Sequence, residues 1–277
     1  MKVNYTFNSI AEFGMKLKAL GDSRVPGARD SSVSSFSEKE TNGFNLSRAI
    51  DCAVKGGAWA DGAKDLASVE FDYDGQFESE IKSFECGPMG FMPLVPNAIM
   101  GLPNSMISMR KTAKPSKIIK IGVHNTLSSG VKVNQGLNRG RAILSVIERL
   151  ELLGFSIELW AISASREYIS APICEFNIYT RIKAANEAPN LAATAFCLCS
   201  TAYTRRLFFR LLESDKELGA VLSKDSYGQP MNLTGEEKSK FDVYFPFLDY
   251  QDSAWDSPNS ARNKVLNMIK RKLNIAA

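Results

Sequence analysis

Residues 117–163 constrain the fold more than any other stretch. They read KIIKIGV, then HNTLSSGVKVNQGLN, then RGRAILSVIERLELLG, then FSIELWAIS. That is an apolar strand, a polar loop of Gly, Ser and Asn, an amphipathic helix and a second apolar strand. A helical crossover of this length is what joins two neighbouring parallel strands. Both strands are nearly continuous in apolar residues, the pattern of strands covered on both faces. Cys174 to Lys183 alternates as a third strand, and a long helix is expected from Asn190 to Ser214. The chain is therefore expected to be α/β, with a mostly parallel central sheet around a Rossmann-like βαβ core.

The remaining segments read as one domain over 1–277, with residues 1–109 as an irregular N-terminal wrap, 110–250 as the α/β core and 258–274 as a basic C-terminal helix. Ile10, Phe13, Leu17 and Leu20 have helical spacing, and Gly21 is a natural stop. Residues 22–41 are rich in Ser and Gly and read as a mobile loop. A helix is expected over Asn45–Lys55 and a strand over Ser68–Tyr73. The stretch Cys86–Met109 holds four prolines and three glycines among many Met, Leu and Ile, so regular structure is not expected there. Such an apolar loop either lines the core or presents an adaptable Met-rich surface to a partner. Thr234 and Glu237 have the spacing of a helix cap, and Pro246 confines Phe241–Leu248 to a sheet edge.

Composition removes several function classes. At 277 residues, 44% apolar and 23% charged, the chain can bury a sizeable core. No apolar run is long enough for a membrane span, and the N-terminus has no secretory pattern. Five scattered cysteines argue for a reducing compartment rather than a disulfide framework. The single histidine, His124, excludes a two-histidine zinc site. With no G-x-S-x-G elbow around the serines, a hydrolytic triad has no support either. We expect no enzyme, no cofactor and no metal.

The loop His124–Asn138 follows a strand, where open α/β sheets bind ligands. Its Gly and Ser residues, with Lys132, Arg139 and Arg141 nearby, would suit an anion. Its glycine spacing matches neither the phosphate-loop nor the dinucleotide pattern. The unit instead resembles the first strand, metal loop, helix and second strand of von Willebrand factor A-type domains. In that family the strand ends in D-x-S-x-S. His124, Thr126 and Ser128 stand at the matching positions, with histidine in place of the carboxylate. The resemblance implies a von Willebrand A-like scaffold without its metal. The whole chain is also similar to a set of tailed-phage proteins, through Gly101, Pro103 and Met106, the helix start at Arg139, and Arg181 to Glu187. That similarity implies a phage origin and the bacterial host cytoplasm. It suggests a single-stranded-DNA-binding accessory of viral transcription or replication, as in N4-like phages, with a viral RNA polymerase or another replication or transcription protein as partner.

Single-strand binders combine a basic track with aromatic platforms. The net charge of +4 permits this. The candidates are Arg110, Lys111, Lys114 and Lys117 in a basic connector; Tyr179, Arg181 and Lys183 on the third strand; Tyr203, Arg205, Arg206 and Arg210 on the long helix; and Lys264, Lys270, Arg271 and Lys272 on the terminal helix. Tyr179 and Arg181 share one strand face. Replacing Arg205, Arg206 and Arg210 by Ala is expected to weaken binding without unfolding the protein. The leading expectation is thus a non-enzymatic single-stranded-DNA-binding protein. The alternative is a metal-free von Willebrand A-like interaction module.

Overall fold

A computed structural model of the chain describes residues 2–35, 37–67, 83–90, 92–110, 118–128, 130–152, 154–167, 174–216 and 227–273. The chain groups into two compact units, Met1–Phe71 with Ile118–Ala276, and the intervening Asp72–Lys117.

The first unit is an α/β fold. Strand β1 (Lys2–Phe7) leads to helix α1 (Ile10–Leu20). Ser9 caps α1 by accepting from the Glu12 amide, while the Glu12 carboxylate accepts from the Asn8 amide. Ile10, Phe13 and Leu17 are buried, as their spacing requires. Gly14 lets α1 lie close to α3 (Leu46–Val54), because a Cβ there would meet the Val54 amide nitrogen at 2.5 Å. Between α1 and α3 the Ser-rich stretch contains two short regular elements. It forms α2 (Ser31–Ser34) and a 3-10 turn (Lys39–Thr41), with Ser31, Ser32 and Thr41 buried. Polar side chains from elsewhere hold it: Arg206 donates to the Ser32, Val33 and Phe44 carbonyls, and Glu213 accepts from the Ser32 amide. Helix α4 (Ala60–Ala67) completes this part; the strand expected at Ser68–Tyr73 lies outside the described residues.

The second unit carries a three-stranded antiparallel sheet where irregular chain was expected. Its strands are β2 (Ser83–Gly87), β3 (Met92–Pro93) and β4 (Met106–Arg110), with helix α5 (Val95–Ile99) between the last two. The order is β2–β4–β3. The prolines are placed where they cost no ladder bond. Pro88 follows β2, Pro93 lies on an outer strand, Pro96 opens α5 and Pro103 precedes β4, while the central β4 contains none.

In the first unit the expected βαβ element is present. Strands β5 (Ile118–His124) and β6 (Ser156–Glu167) pair in parallel across helix α6 (Val133–Leu152). Strand β7 (Cys174–Lys183) is antiparallel to β6 and parallel to β1. The long helix expected over 190–214 is broken. Helix α7 (Leu191–Leu198) ends at Cys199, and a π-helical stretch (Tyr203–Phe208) runs into α8 (Phe209–Ser214). Strand β8 (Gln229–Pro230) borders β6, and the capped turn α9 (Gly235–Lys238) follows. Strand β9 (Val243–Phe245) takes the sheet edge beside β5, just before Pro246, and the chain turns into α10 (Pro258–Leu273). The main path through this sheet is β1–β7–β6–β5–β9.

The longer helices gather on one face, while the short α9 lies on the other, where Glu237 meets Asn177 and Tyr179. Phe13 of α1 stacks on Phe7, Tyr203 reaches Thr180 of β7, and α6 packs against α4, α7 and α10. Ile119, Ile121, Val123, Ile157, Leu159 and Ala161 are buried beneath this layer. On the opposite face the expected second cover is partial. Met231 and Leu233 pack on Ile162, Ala164 and Tyr179, with Phe241 and Tyr244 beside them. Toward the start of β5 and β6, burial alternates instead, and Lys120, Glu158 and Trp160 reach solvent.

Candidate nucleic-acid interface

The face opposite the main helical layer, where the short α9 lies, carries an open groove of about 320 Å³. It is lined by Asn4, Thr6, Lys120, Glu158, Trp160, Tyr179, Lys240 and Phe241. Strand register explains how four separate segments meet there. Thr6 pairs with Tyr179, Arg181 with Trp160, and Lys120 with Glu158, so these side chains share one face. The ladder of β6 and β7 shifts register between Leu159 and Trp160, a bulge that aims the indole. Phe241 approaches the sheet closely because Gly122 is beneath it: a Cβ at 122 would meet the ring at 2.9 Å.

The groove is aromatic with a cationic rim. Phe241 stacks with Tyr179 at a centroid separation of 6.4 Å and an interplanar angle of 24°. The Arg181 guanidinium lies 5.9 Å from the Trp160 ring centroid, and the Lys240 ammonium lies 5.7 Å from that of Tyr179. Arg181 also donates to the Asn8 carbonyl. On the floor, Glu158 Oε1 accepts from Trp160 Nε1 at 2.6 Å, and the Lys120 ammonium stands 3.8 Å from the same oxygen. Behind the aromatic wall, Glu237 receives Lys2 at 2.7 Å, the Asn177 amide and the Thr234 hydroxyl. Burial would raise the Glu237 pKa, but these contacts outweigh it and hold the carboxylate below its usual value. Burial, with Glu237 nearby, pushes the Tyr179 hydroxyl well above the ordinary range, so this ring stays neutral.

Of the residues expected from sequence, the structure brings Tyr179 and Arg181 to this groove. Lys183 is buried; its ammonium serves the Ile157 and Ala184 carbonyls and Glu151. Tyr203 is buried, with its hydroxyl donating to Thr180. Arg206 and Arg210 are each only 2% exposed. Arg210 donates to the Gly21 carbonyl and Arg206 to the α2 segment, so neither can meet a phosphate. Arg205 is half-buried, 5.6 Å from the Phe209 centroid. All four lie in the helical layer, on the far side of the sheet. So does α10: Lys264 is paired with Asp252 above the Trp255 ring, Lys270 is half-buried, and Arg271 and Lys272 are exposed. Arg110 is in β4 of the second unit, and Lys111, Lys114 and Lys117 lie outside the described residues. The strand, long-helix and terminal-helix segments therefore do not form one site among the described residues of the first unit. Lys120, Glu158, Trp160, Lys240 and Phe241 were missed. For the first three the signal was the shared alternation of β5 and β6, which becomes visible only once the strands are in register.

The loop after β5 is knitted into the fold. His124 Nε2 donates to the Met231 carbonyl at 2.9 Å, and Nδ1 accepts from the Thr126 amide. Thr126 Oγ1 accepts from the Ala164 amide, and Asn125 is bonded to Cys197 and Ser163. Arg139 is buried against the Phe245 and Pro246 carbonyls, and Arg141 donates to the Asp65 carbonyl. Among the described residues no group of three or more His, Cys, Asp or Glu could hold a metal ion.

Burial lowers the His124 pKa to about 3, helped by Arg139 and opposed by the bond to Met231. The unfolded chain, near the ordinary value of 6.5, takes up the proton first as the pH falls. This contribution to stability is therefore complete above pH about 6.5. It is lost by about 1.4 kcal/mol per unit as the pH falls toward about 3. Urea midpoints measured from pH 7 to pH 4 should show that slope. His124→Gln should flatten it; an unchanged slope would locate the acid sensitivity elsewhere.

A family model described as a domain of unknown function (DUF7192) matches residues 1–277. No curated protein and no solved structure matches the chain. Among the described residues no helix is long and apolar enough to cross a membrane.

Proposed function

The chain belongs to that DUF7192 family over its whole length, and from the groove we propose that it binds single-stranded nucleic acid without catalysing a reaction on it. One observation carries this reading: Trp160 and Phe241 line one open groove with Lys120 and Lys240, and Arg181 lies beside the Trp160 ring. An unpaired base stacks on such a platform whatever its identity, and the flanking phosphates meet the cations. Arg181 lines a second cleft of about 330 Å³ with Asn8, Ser9 and Asn190. Paired bases hide their faces, so the groove favours single strands over duplex. The sequence resemblance to tailed-phage proteins supports the same reading, as an accessory of viral transcription or replication. A protein-interaction role is the second reading. It is favoured by the exposed Met89, Ile99 and Met100 of the second unit.

The test is a shift of labelled oligonucleotide at low salt. Three rim cations predict a slope of log affinity against log salt of about −2. Lys120→Ala should bring the slope about 0.7 units closer to zero. No shift at low salt would reject the groove as a nucleic-acid site and leave the interaction reading.

A further inference from the structure

The groove contains one group that phosphate binding alone would disfavour, the carboxylate of Glu158. It sits on the floor between the indole and Lys120, with its side chain 15% exposed. One oxygen is fixed by the indole N–H. The other, Oε2, accepts no hydrogen bond among the described residues. An ionised carboxylate only accepts, and each oxygen carries two lone pairs, so both oxygens retain capacity. The indole bond also fixes the direction in which the carboxylate points, and Lys120 holds its charge without occupying Oε2.

Resting on the reading above, we infer that Glu158 selects the base stacked beside Trp160, and that the base it selects is guanine. Unpaired bases expose their Watson–Crick edges to side chains. Guanine alone presents two adjacent donors there, the ring N1–H and the exocyclic amine, which match the two oxygens of a carboxylate. Adenine and cytosine each offer the exocyclic amine beside a ring acceptor. Thymine offers one N–H flanked by two carbonyl oxygens, which a carboxylate repels. The affinity order is therefore guanine first, adenine and cytosine next, and thymine last.

The experiment compares short oligothymidylates that differ only at the central base, titrated by fluorescence anisotropy at low salt. The wild-type protein should bind the central-guanine oligomer roughly tenfold more tightly than all-thymine, the discrimination expected of a good bidentate contact. Inosine at the centre lacks the exocyclic amine and should lose most of that preference, in a comparison that needs no substitution in the protein. Glu158→Gln, which keeps an acceptor for the indole N–H, should bring guanine and thymine to equal affinity. Equal wild-type affinity for guanine, inosine and thymine would overturn the assignment, as would a preference that survives E158Q. If no oligomer binds the wild-type protein, the groove itself is not a nucleic-acid site and the proposed function falls with it.

Discussion

Arg206→Leu is expected to lower the stability of the folded chain by about 3–5 kcal/mol, the cost of leaving several buried acceptors without their shared donor. The Arg206 guanidinium donates to the Ser32 carbonyl at 2.8 Å, the Phe44 carbonyl at 3.1 Å, the Val33 carbonyl at 3.2 Å and the Thr41 hydroxyl at 3.3 Å. These acceptors belong to a segment with few apolar side chains of its own. Without the arginine, several of them stay buried with no donor, and each orphaned group costs about 1–3 kcal/mol. Burial lowers the Arg206 pKa, with Glu38 and Glu40 opposing, so the group remains a cation held by neutral oxygens and nearby acids. The measurement is a urea midpoint for wild type and R206L. A midpoint close to wild type would show that residues 31–44 hold their place by other contacts. The result also separates two roles for one residue. A surface arginine that binds nucleic acid would leave the midpoint unchanged and weaken binding. A structural arginine does the reverse, which replaces the expectation drawn from sequence for Arg206 and Arg210.

The second large effect belongs to Trp160. Trp160→Ala should weaken oligonucleotide binding by about tenfold to a hundredfold, the contribution of one stacked base. The fold should tolerate the change, because Trp160 is half-exposed and packs at the margin of the Met231–Leu233 cluster. The three tryptophans of the chain allow a direct readout. Trp59 and Trp255 are buried in the helical layer, whereas Trp160 faces the groove. Quenching of tryptophan emission by an added oligonucleotide should therefore come from Trp160 and disappear in W160F, even if the phenyl ring preserves part of the affinity. Quenching that persists in W160F would place the base elsewhere.

The β5–α6–β6 unit was legible because three periodicities succeed one another cleanly within 117–163. The site was only half legible, and the reason is geometric. Tyr179 and Arg181 show in one strand by simple alternation. Glu158 and Trp160 alternate equally well, but their meaning depends on Lys120 and Tyr179 arriving beside them, and a single sequence does not display register. The opposite error occurred at Arg206 and Arg210. Both lie on a segment buried nearly all round, so core positions hold arginines where hydrocarbon is the usual occupant. Their partners are backbone carbonyls far away in the chain, and no local pattern announces an acceptor. The second unit was misjudged because its prolines were counted rather than placed.

The order of the main sheet has a consequence for how the chain is assembled. Strand β1, residues 2–7, takes its place beside residues 175–180. The chain closed between them grows only slowly more costly with its length, yet such distant pairings slow the search for the native state. During synthesis β1 is made long before β7 leaves the ribosome, so it waits as a bare strand with both edges open, a species prone to wrong pairing. Its alternation of Lys2, Asn4 and Thr6 with Val3, Tyr5 and Phe7 leaves one side polar throughout that wait. The same polar side later borders the groove, so the residues that keep the nascent strand soluble become part of the wall beside which a ligand would lie.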